Sequence, residues 1–356
     1  MTQNTPEIRI GNHLVGQGHP TYVVAELSAN HNGSLDRALE SIRRVAETGV
    51  QAVKLQTYRP DTLTIDCGRS EFTIADGPWR GRTLFDLYRE AHTPWEWHEA
   101  LFAEAHRCGL DVFSSPFDDT AVDLLESLDA PAYKIASFEL IDDRLLQRVA
   151  RTGKPVILST GMASLEEISH AVATLRAARC QEILLLRCTS SYPAPDEHMH
   201  LATIPMIRDA LQCHVGLSDH SLGITAPIVA VTLGAVFIEK HFTLDRAAGG
   251  PDSHFSLEVP EFAELVASVR RAEAMRGAPS FGAGTSEEGS VQFRRSLYVV
   301  KDVDAGELLT EESVRSIRPG FGLSPRFLPL VLGRVATQAI QRGTPLEWSH
   351  VMGPST

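Results

Sequence analysis

Thr21-Tyr-Val-Val-Ala-Glu-Leu-Ser-Ala-Asn-His-Asn-Gly-Ser34 decides between two folds. Its β-branched opening predicts a strand over Thr21–Leu27. Leu35, Ala38, Leu39, Ile42, Val45 and Ala46 then recur at helical spacing, with Gly49 at the C′ position. A doubly wound sheet needs a G-x-G-x-x-G phosphate turn between such a strand and helix. The turn here, Ser28 to Ser34, holds a single glycine.

Seven more apolar runs predict strands at Ala52–Thr57, Asp111–Pro116, Ala132–Ser137, Pro155–Thr160, Glu182–Cys188, His214–Asp219 and Val236–His241. Helical patterns separate them, and Ser164-Leu-Glu-Glu167 is a capping box ahead of one. Every strand begins apolar and ends in polar residues. In order these are Glu26; Lys54 and Gln56; Ser114 and Ser115; Lys134 and Ser137; Ser159 and Thr160; Cys188 and Thr189; Ser218, Asp219 and His220; and Glu239, Lys240 and His241. A (β/α)8 TIM barrel gathers such strand ends on one active face, so the expected class is α/β, with a (β/α)8 barrel.

The second strand is followed by a long connection, from Tyr58 to about Pro94, carrying Asp76-Gly-Pro-Trp-Arg-Gly-Arg82 and His92-Thr-Pro-Trp-Glu-Trp-His98. A connection of this length is expected to be a lid or functional insertion. Helical pattern ends near Gly277, and Ala278–Ser290 is rich in Gly, Ser and Pro. The expected division is a barrel over 1–277, a linker over 278–294 and a small domain over 295–356. Within the last, Val303–Leu308 and Ile340–Leu346 read as two copies of one strand–turn–strand unit.

Asp and Glu number 45 against 33 Lys and Arg, a net charge of −12, with no dense basic run. This argues against nucleic acid and anionic membrane surfaces as partners. Five scattered cysteines show no C-x-x-C spacing. No signal peptide is evident, and no apolar run approaches the ~18 residues of a membrane span. A reduced, cytoplasmic protein is expected.

Period-two alternation puts Ser218 on one face with His220, and Glu239 on one face with His241. Two neutral imidazoles on neighbouring strands suit an open divalent-metal site. Lys54 (beside Gln56) and Lys134 (beside Ser137 and Glu139), with hydroxyls of Ser115, Ser159 and Ser218, suit a phosphate or carboxylate. Either lysine could instead form a Schiff base. Glu26 and Asp252 are candidates for acid–base work or hydroxyl recognition. Trp79, Tyr88, Trp95 and Trp97 form either an apolar sugar wall or packing within the insertion. Arg318, in Ile317-Arg-Pro-Gly-Phe-Gly322, is a tightly held guanidinium or a solvated loop residue.

Together, Ala25–Gly33, Val53-Lys-Leu-Gln56, Tyr133-Lys-Ile-Ala-Ser137, Ser159-Thr-Gly-Met162, Gly216-Leu-Ser-Asp-His220, Glu239-Lys-His-Phe-Thr243 and Gly250-Pro-Asp252 resemble the sialic acid synthase family. His92–His98, Ser114-Ser-Pro-Phe117 and Pro251–Leu257 look most like its pseudaminic-acid-forming members. Ser190, in Cys188-Thr-Ser-Ser-Tyr-Pro193, stands where N-acetylneuraminate-forming members usually carry Asn.

The resemblance implies a small C-terminal antifreeze-like (SAF, β-clip) domain. It implies condensation of phosphoenolpyruvate with the open-chain aldehyde of an amino sugar, 2,4-diacetamido-2,4,6-trideoxy-L-altrose, giving pseudaminic acid and phosphate. By motif, His220 and His241 would bind Mn²⁺, with Mg²⁺ or Co²⁺ as alternatives. Lys54, Lys134, Ser115, Ser137, Ser159 and Ser218 would hold phosphoenolpyruvate. Glu26, Gln56, Tyr192 and Asp252 would contact the sugar or handle protons. Arg318 would reach a partner's site in a domain-swapped homodimer. N-acetylneuraminate or legionaminate synthesis, a Schiff-base aldolase using Lys134, and a non-catalytic carbohydrate-binding protein are the alternatives.

Overall fold

A computed structural model describes residues 5–77 and 79–352. The first four residues, Pro78 of the insertion motif and the last four residues of the expected small domain lie outside it. The chain divides into two compact units between Gly277 and Ala278.

The first unit opens with an antiparallel hairpin, β1 (Ile8–Ile10) and β2 (His13–Val15). Eight strands follow: β3 (Tyr22–Glu26), β4 (Ala52–Thr57), β5 (Asp111–Pro116), β6 (Tyr133–Ile135), β7 (Val156–Ser159), β8 (Ile183–Cys188), β9 (His214–Asp219) and β10 (Phe237–His241). They close into a barrel in chain order, with β10 returning to pair in parallel with β3. All eight expected strands are present. β6 stops short of its expected end because Ser137–Glu139 tightens into a 3-10 turn.

Helices α1 (Leu35–Ala46), α4 (His98–Arg107), α5 (Asp119–Ser127), α6 (Asp143–Ala150), α7 (Leu165–Ala177), α8 (Thr203–Leu211), α9 (Thr225–Thr232) and α10 (Val259–Arg276) complete the eight βα units. The long connection holds the short α2 (Pro60–Leu63) and α3 (Leu84–Ala91). Local sequence fixes the starts. The Arg37 N–H donates to Ser34 Oγ, Asp118 and Asp142 cap α5 and α6, and Ser164 and Glu167 cap each other's backbone at α7. The α1 cap is Glu47, so Gly49 (φ +84°) lies one position beyond its expected place.

Side chains alternate between two cores. Outward ones such as Val23, Val53, Val112, Leu158, Leu185 and Leu217 meet the helices. Inward ones near the strand starts, including Tyr22, Phe113, Ile157, Leu184 and Phe237, pack on Ile8, Ile10 and Val15 of the hairpin. Each buried Phe, Leu or Ile there contributes roughly 1.5–3 kcal/mol. The hairpin thus stoppers the N-terminal end of the barrel. Asp111 fastens it, accepting from Tyr22 Oη at 2.8 Å, His13 Nδ1 at 2.7 Å and the Asn12 N–H at 3.3 Å. Gly11 (φ +52°) lies so close that a Cβ would overlap this carboxylate.

The second unit pairs β11 (Ser296–Val299) antiparallel with β12 (Val314–Ile317) and adds a one-turn helix, α11 (Leu328–Val331). The stretch expected as a linker includes a 3-10 helix, Glu288–Phe293. The two repeat copies pair with each other through single bridges: Val303 and Ile340 exchange backbone hydrogen bonds of 3.0 and 2.8 Å. The bond from Gly306 N–H to Ala336 O matches that from Gly343 N–H to Val299 O. Likewise Leu309 to Arg334 matches Leu346 to Leu297, as two pseudo-symmetric halves require.

Among the described residues no helix is long and apolar enough to cross a membrane. The five cysteines are free thiols.

Candidate active site

Above the packed floor, the inward positions change from apolar to polar, as the alternation demands. Register sets the neighbours: Glu26 lies beside Lys54, Gln56 beside Ser115, Cys188 beside Ser218, Ser218 beside Glu239, and His241 beside Glu26. Of these, all but the fully buried Glu26 line a cavity of about 520 Å³ at the C-terminal ends of the strands. That volume suits two small metabolites in contact.

The centre is a buried charge quartet. Lys54 Nζ lies 2.6 Å from Glu26 Oε2 and 3.6 Å from Glu239 Oε1, and Lys134 Nζ lies 3.0 Å from the same Glu239 oxygen. Ser218 Oγ donates to Glu239 at 3.1 Å, and Lys54 donates to Ser115 Oγ at 3.3 Å. Burial raises the Glu239 carboxyl, but Lys134 and Lys54 together hold it down to about 2. Burial raises Glu26 as well; Lys54 offsets part of this, the charge on Glu239 adds to it, and the result is upward. Burial leaves Lys134 below the ordinary lysine value despite Glu239. Lys54, between two carboxylates, ends above that value although burial opposes it. Glu239 thus occupies both lysines as a built-in anion.

His220 and His241 stand beside this quartet, ring centres 5.3 Å apart. The Nδ1 of His220 lies 3.1 Å from the Thr189 carbonyl, so it carries a proton and Nε2 is the nitrogen left for a ligand. Burial lowers this imidazole, but Cys188 and the Thr189 carbonyl leave it above the usual value. Burial, His220 and then Lys54 hold His241 well below the usual imidazole range, so it is neutral. Its Nδ1 is buried without a hydrogen-bond partner, 3.9 Å from Asp252 Oδ2. Among the described residues no cluster of three or more His, Cys, Asp or Glu side chains is arranged for a metal. The pair, with that orphaned nitrogen, fits an open site completed by water and substrate oxygens.

On one flank Gln56 Nε2 donates to Glu26 at 3.0 Å and to Ser28 Oγ at 3.1 Å, and Ser28 donates to Asp252. Burial raises the Asp252 carboxyl, with the Ser28 bond opposing. Opposite, the Gly161 N–H donates to Ser137 Oγ at 3.0 Å. A Cβ on Gly161 would overlap Ser190 Oγ and lie 2.8 Å from Ser137 Oγ. Gly161→Ala is therefore expected to raise the apparent KM for the anionic ligand about tenfold, leaving the melting temperature nearly unchanged. Initial-rate kinetics with thermal melts check it.

The insertion supplies the remaining wall. Tyr58, Leu63, Ile74, Trp79, Leu84, Leu87 and Tyr88 face the cavity, with Phe117 from the β5 end. The aromatic set therefore splits. Trp79 and Tyr88 are wall. Trp95 donates to the Tyr58 carbonyl under Arg59, and Trp97 packs edge-on against His31.

Lys54, Gln56, Ser115, Lys134, Ser137, Glu139, Ser159, Tyr192, Ser218, His220, His241 and Asp252 line this cavity; Glu26 is fully buried and is joined to it through Lys54 and Gln56. Tyr192 lies against His220, ring centres 4.4 Å apart. The Ser159 Oγ and Glu139 Oε2 atoms are buried without partners. Arg318 belongs to the second unit, where it is exposed. One correction follows from the alternation. Asp219 and Lys240, grouped above with the polar strand ends, point outward and pair with each other. Glu26, which has no cation nearby in sequence, has Lys54 as its neighbour across the sheet. Sequence reasoning gave Glu239 no role, although its spacing from His241 marks it as inward. Ser28 and Tyr58 were missed altogether.

Glu139 yields a pH signature. Burial pushes its carboxyl up to about 7. A raised carboxyl means the folded state holds a proton the unfolded chain has released, so this stability is present at low pH and lost as pH rises through about 7. Glu139→Gln should therefore gain stability relative to the parent chain between about pH 5 and about pH 8. Paired denaturation curves across that range check it.

Residues 41–280 match the NeuB family and residues 294–352 the SAF domain. The pseudaminic acid synthase of Campylobacter jejuni is 42% identical over 328 residues, covering 92% of this chain and 96% of that protein. The N,N'-diacetyllegionaminic acid synthase of Legionella pneumophila is 33% identical over 344 residues, covering 94% and 96%. Among solved structures, the N-acetylneuraminic acid synthetase of Leptospira borgpetersenii, in complex with citrate, superposes with a TM-score of 0.73 at 31% identity, covering 81% of this chain and 95% of that one. A barrel ending in two lysines, two histidines and their carboxylates, matched over most of its length in this way, belongs to the NeuB family.

Proposed function

We propose that this chain makes pseudaminic acid, condensing phosphoenolpyruvate with the open-chain aldehyde of 2,4-diacetamido-2,4,6-trideoxy-L-altrose and releasing phosphate. The observation that carries the reading is Glu239 bridging Lys54 and Lys134 beside the His220–His241 pair. Phosphoenolpyruvate, with a phosphate and a carboxylate, takes over the two ammonium groups. The hydroxyls of Ser115, Ser137, Ser159 and Ser218 complete its cradle.

His220 and His241 would hold a divalent ion, Mn²⁺ with Mg²⁺ or Co²⁺ as alternatives, which when bound would supply Lewis-acid polarisation of the aldehyde. The chain's residues do the rest. Lys54 and Lys134 hold the enol so that its C3 faces the aldehyde carbon. Asp252 and Gln56, joined through Ser28, take the sugar hydroxyls. As the C–C bond forms, positive charge develops at C2 under the field of Glu26 and Glu239. Water adds at C2, one of its protons passing to the former aldehyde oxygen; the C2–O bond to phosphate then breaks as the C2 hydroxyl becomes the carbonyl and its proton leaves with phosphate. Glu139, titrating near neutrality, suits a group that passes protons to and from the cavity.

The apolar wall of Trp79, Leu84, Leu87 and Tyr88 favours a 6-deoxy sugar, whose methyl has no hydroxyl to satisfy. The 42% identity to a pseudaminic acid synthase, against 33% to a legionaminic one, favours the same sugar. The barrel rim exposes Phe138, Ile141, Met162, Leu165 and Leu222, apolar surface that suits cover by a partner subunit, with Arg318 as its reaching group. A cytoplasmic homodimer is the expected form.

Phosphate release from phosphoenolpyruvate with Mn²⁺ tests the reading. Turnover is expected with the altrose sugar and not with N-acetylmannosamine or the legionaminate precursor. Turnover with either of those moves the substrate. Activity that survives EDTA, with borohydride trapping of pyruvate on Lys134, would replace the mechanism by a Schiff-base one.

A further inference from the structure

Lys240 sits between Glu239 and His241, yet its side chain leaves the cavity for the apolar layer between barrel and helices. It is wholly buried there, as is its partner Asp219. Lys240 Nζ donates to Asp219 Oδ2 at 2.6 Å and to the Ser221 carbonyl at 2.5 Å. The other Asp219 oxygen accepts from the Ser221 N–H at 2.9 Å and from its hydroxyl at 2.7 Å. His220 is the residue between these two anchors. One ammonium group, on the backbone neighbour of His241, therefore fixes the residues before and after His220.

Such a pair is poorly explained by stability. Taking two charges out of water offsets most of their attraction, and apolar replacements of similar volume are often neutral or stabilising. The contrast with the inner face is informative. There Ser159 Oγ, Glu139 Oε2, Glu239 Oε2 and His241 Nδ1 are buried without hydrogen-bond partners, as suits atoms that meet a ligand. On the outer face both Asp219 oxygens are satisfied, as suits a frame. The His220 ring itself donates from Nδ1 to the Thr189 carbonyl, with the Cys188 thiol 3.8 Å from the same nitrogen. What Lys240 controls is the path of the chain that aims the ring.

We infer that Asp219, Lys240 and Ser221 form a positioning unit that holds His220 and His241 at the spacing a shared divalent ion requires. This rests on the metal reading of the two histidines given above. The test uses the full chain carrying Asp219→Leu with Lys240→Met, an apolar replacement that leaves no lone charge. The chain should stay folded with a melting temperature lowered by several degrees, because the buried Ser221 N–H, hydroxyl and carbonyl lose their partners. Mn²⁺ affinity, measured by the electron paramagnetic resonance of free Mn²⁺, should fall about 10–100-fold. kcat should fall with it, while KM for phosphoenolpyruvate, set by Lys54 and Lys134, should hold.

Mn²⁺ affinity and kcat within twofold of the parent would overturn the inference. Should the double variant not fold, Ser221→Ala carries the test, since it loosens the same loop without burying a charge. A rise of about threefold or more in the Mn²⁺ dissociation constant at parental melting temperature supports the unit, and no rise overturns it. If the parent itself binds no Mn²⁺, the metal reading falls. The inference is then judged on kcat alone: a fall in a chain that stays folded retains positioning of the histidines, and an unchanged kcat removes it.

Discussion

Lys54→Met is expected to abolish phosphate release and to lower the unfolding free energy by about 3–5 kcal/mol. Lys54 is the cation shared by Glu26 and Glu239, and all three side chains are buried. Removing it leaves Lys134 for Glu239 and nothing for Glu26 but the Gln56 amide. A buried carboxylate without a cation must take up a proton or pull in water, and either costs stability. Adding Glu26→Gln to Lys54→Met should recover part of the loss, because the neutral amide no longer needs a counter-charge. Turnover should not return, since the anion cradle has lost one of its two ammonium groups. Urea denaturation and a phosphate-release assay on the two variants check both halves. A Lys54→Met enzyme with more than a tenth of the parental rate would take Lys54 out of the cradle.

His241→Ala should produce the opposite pattern: loss of turnover on the order of a thousandfold or more, with little loss of stability. Its Nδ1 has no hydrogen-bond partner, so the substitution strands no other group. His220→Ala should match it in activity but cost about 1 kcal/mol, because the Thr189 carbonyl loses its donor. EDTA should reproduce the activity loss in the parent chain, and added Mn²⁺ should restore the parent but neither variant. Circular dichroism melts beside the rescue experiment separate a missing ligand from a damaged fold. Full activity of the His241→Ala protein would remove that residue from the metal site.

The barrel was legible because each strand carries its own signal, an apolar start and a polar end, and eight such runs alternate with helical ones. The site was legible to the extent that alternation alone sorts inward from outward. Lys54, His220 and His241 could be placed that way. Register could not be read: that Glu26 lies beside Lys54 depends on how β3 and β4 align, and that Glu239 meets Lys134 depends on closure, which brings residues more than a hundred positions apart within 3.0 Å. Hairpin β1–β2 was missed because three-residue strands leave no periodicity to count. Trp79 and Trp95 look alike in sequence; Trp79 sits on the turn between the bridged Thr73 and Thr83 and became wall, while Trp95 opens the 3-10 turn before α4 and became packing.

The stoppered end of the barrel has a consequence for the order of events. With Ile8, Ile10 and Val15 packed beneath the strand starts, traffic runs through the opposite mouth. Lys54 and Lys134 lie at the bottom of that passage, and Trp79 and Tyr88 stand along its side. An occupant of the lysines must enter first, and the occupant of the wall then shuts it in. Release reverses the sequence. Saturation with the outer ligand alone should then block the inner one, so initial-rate and product-inhibition patterns are expected to follow an ordered rather than a random kinetic scheme.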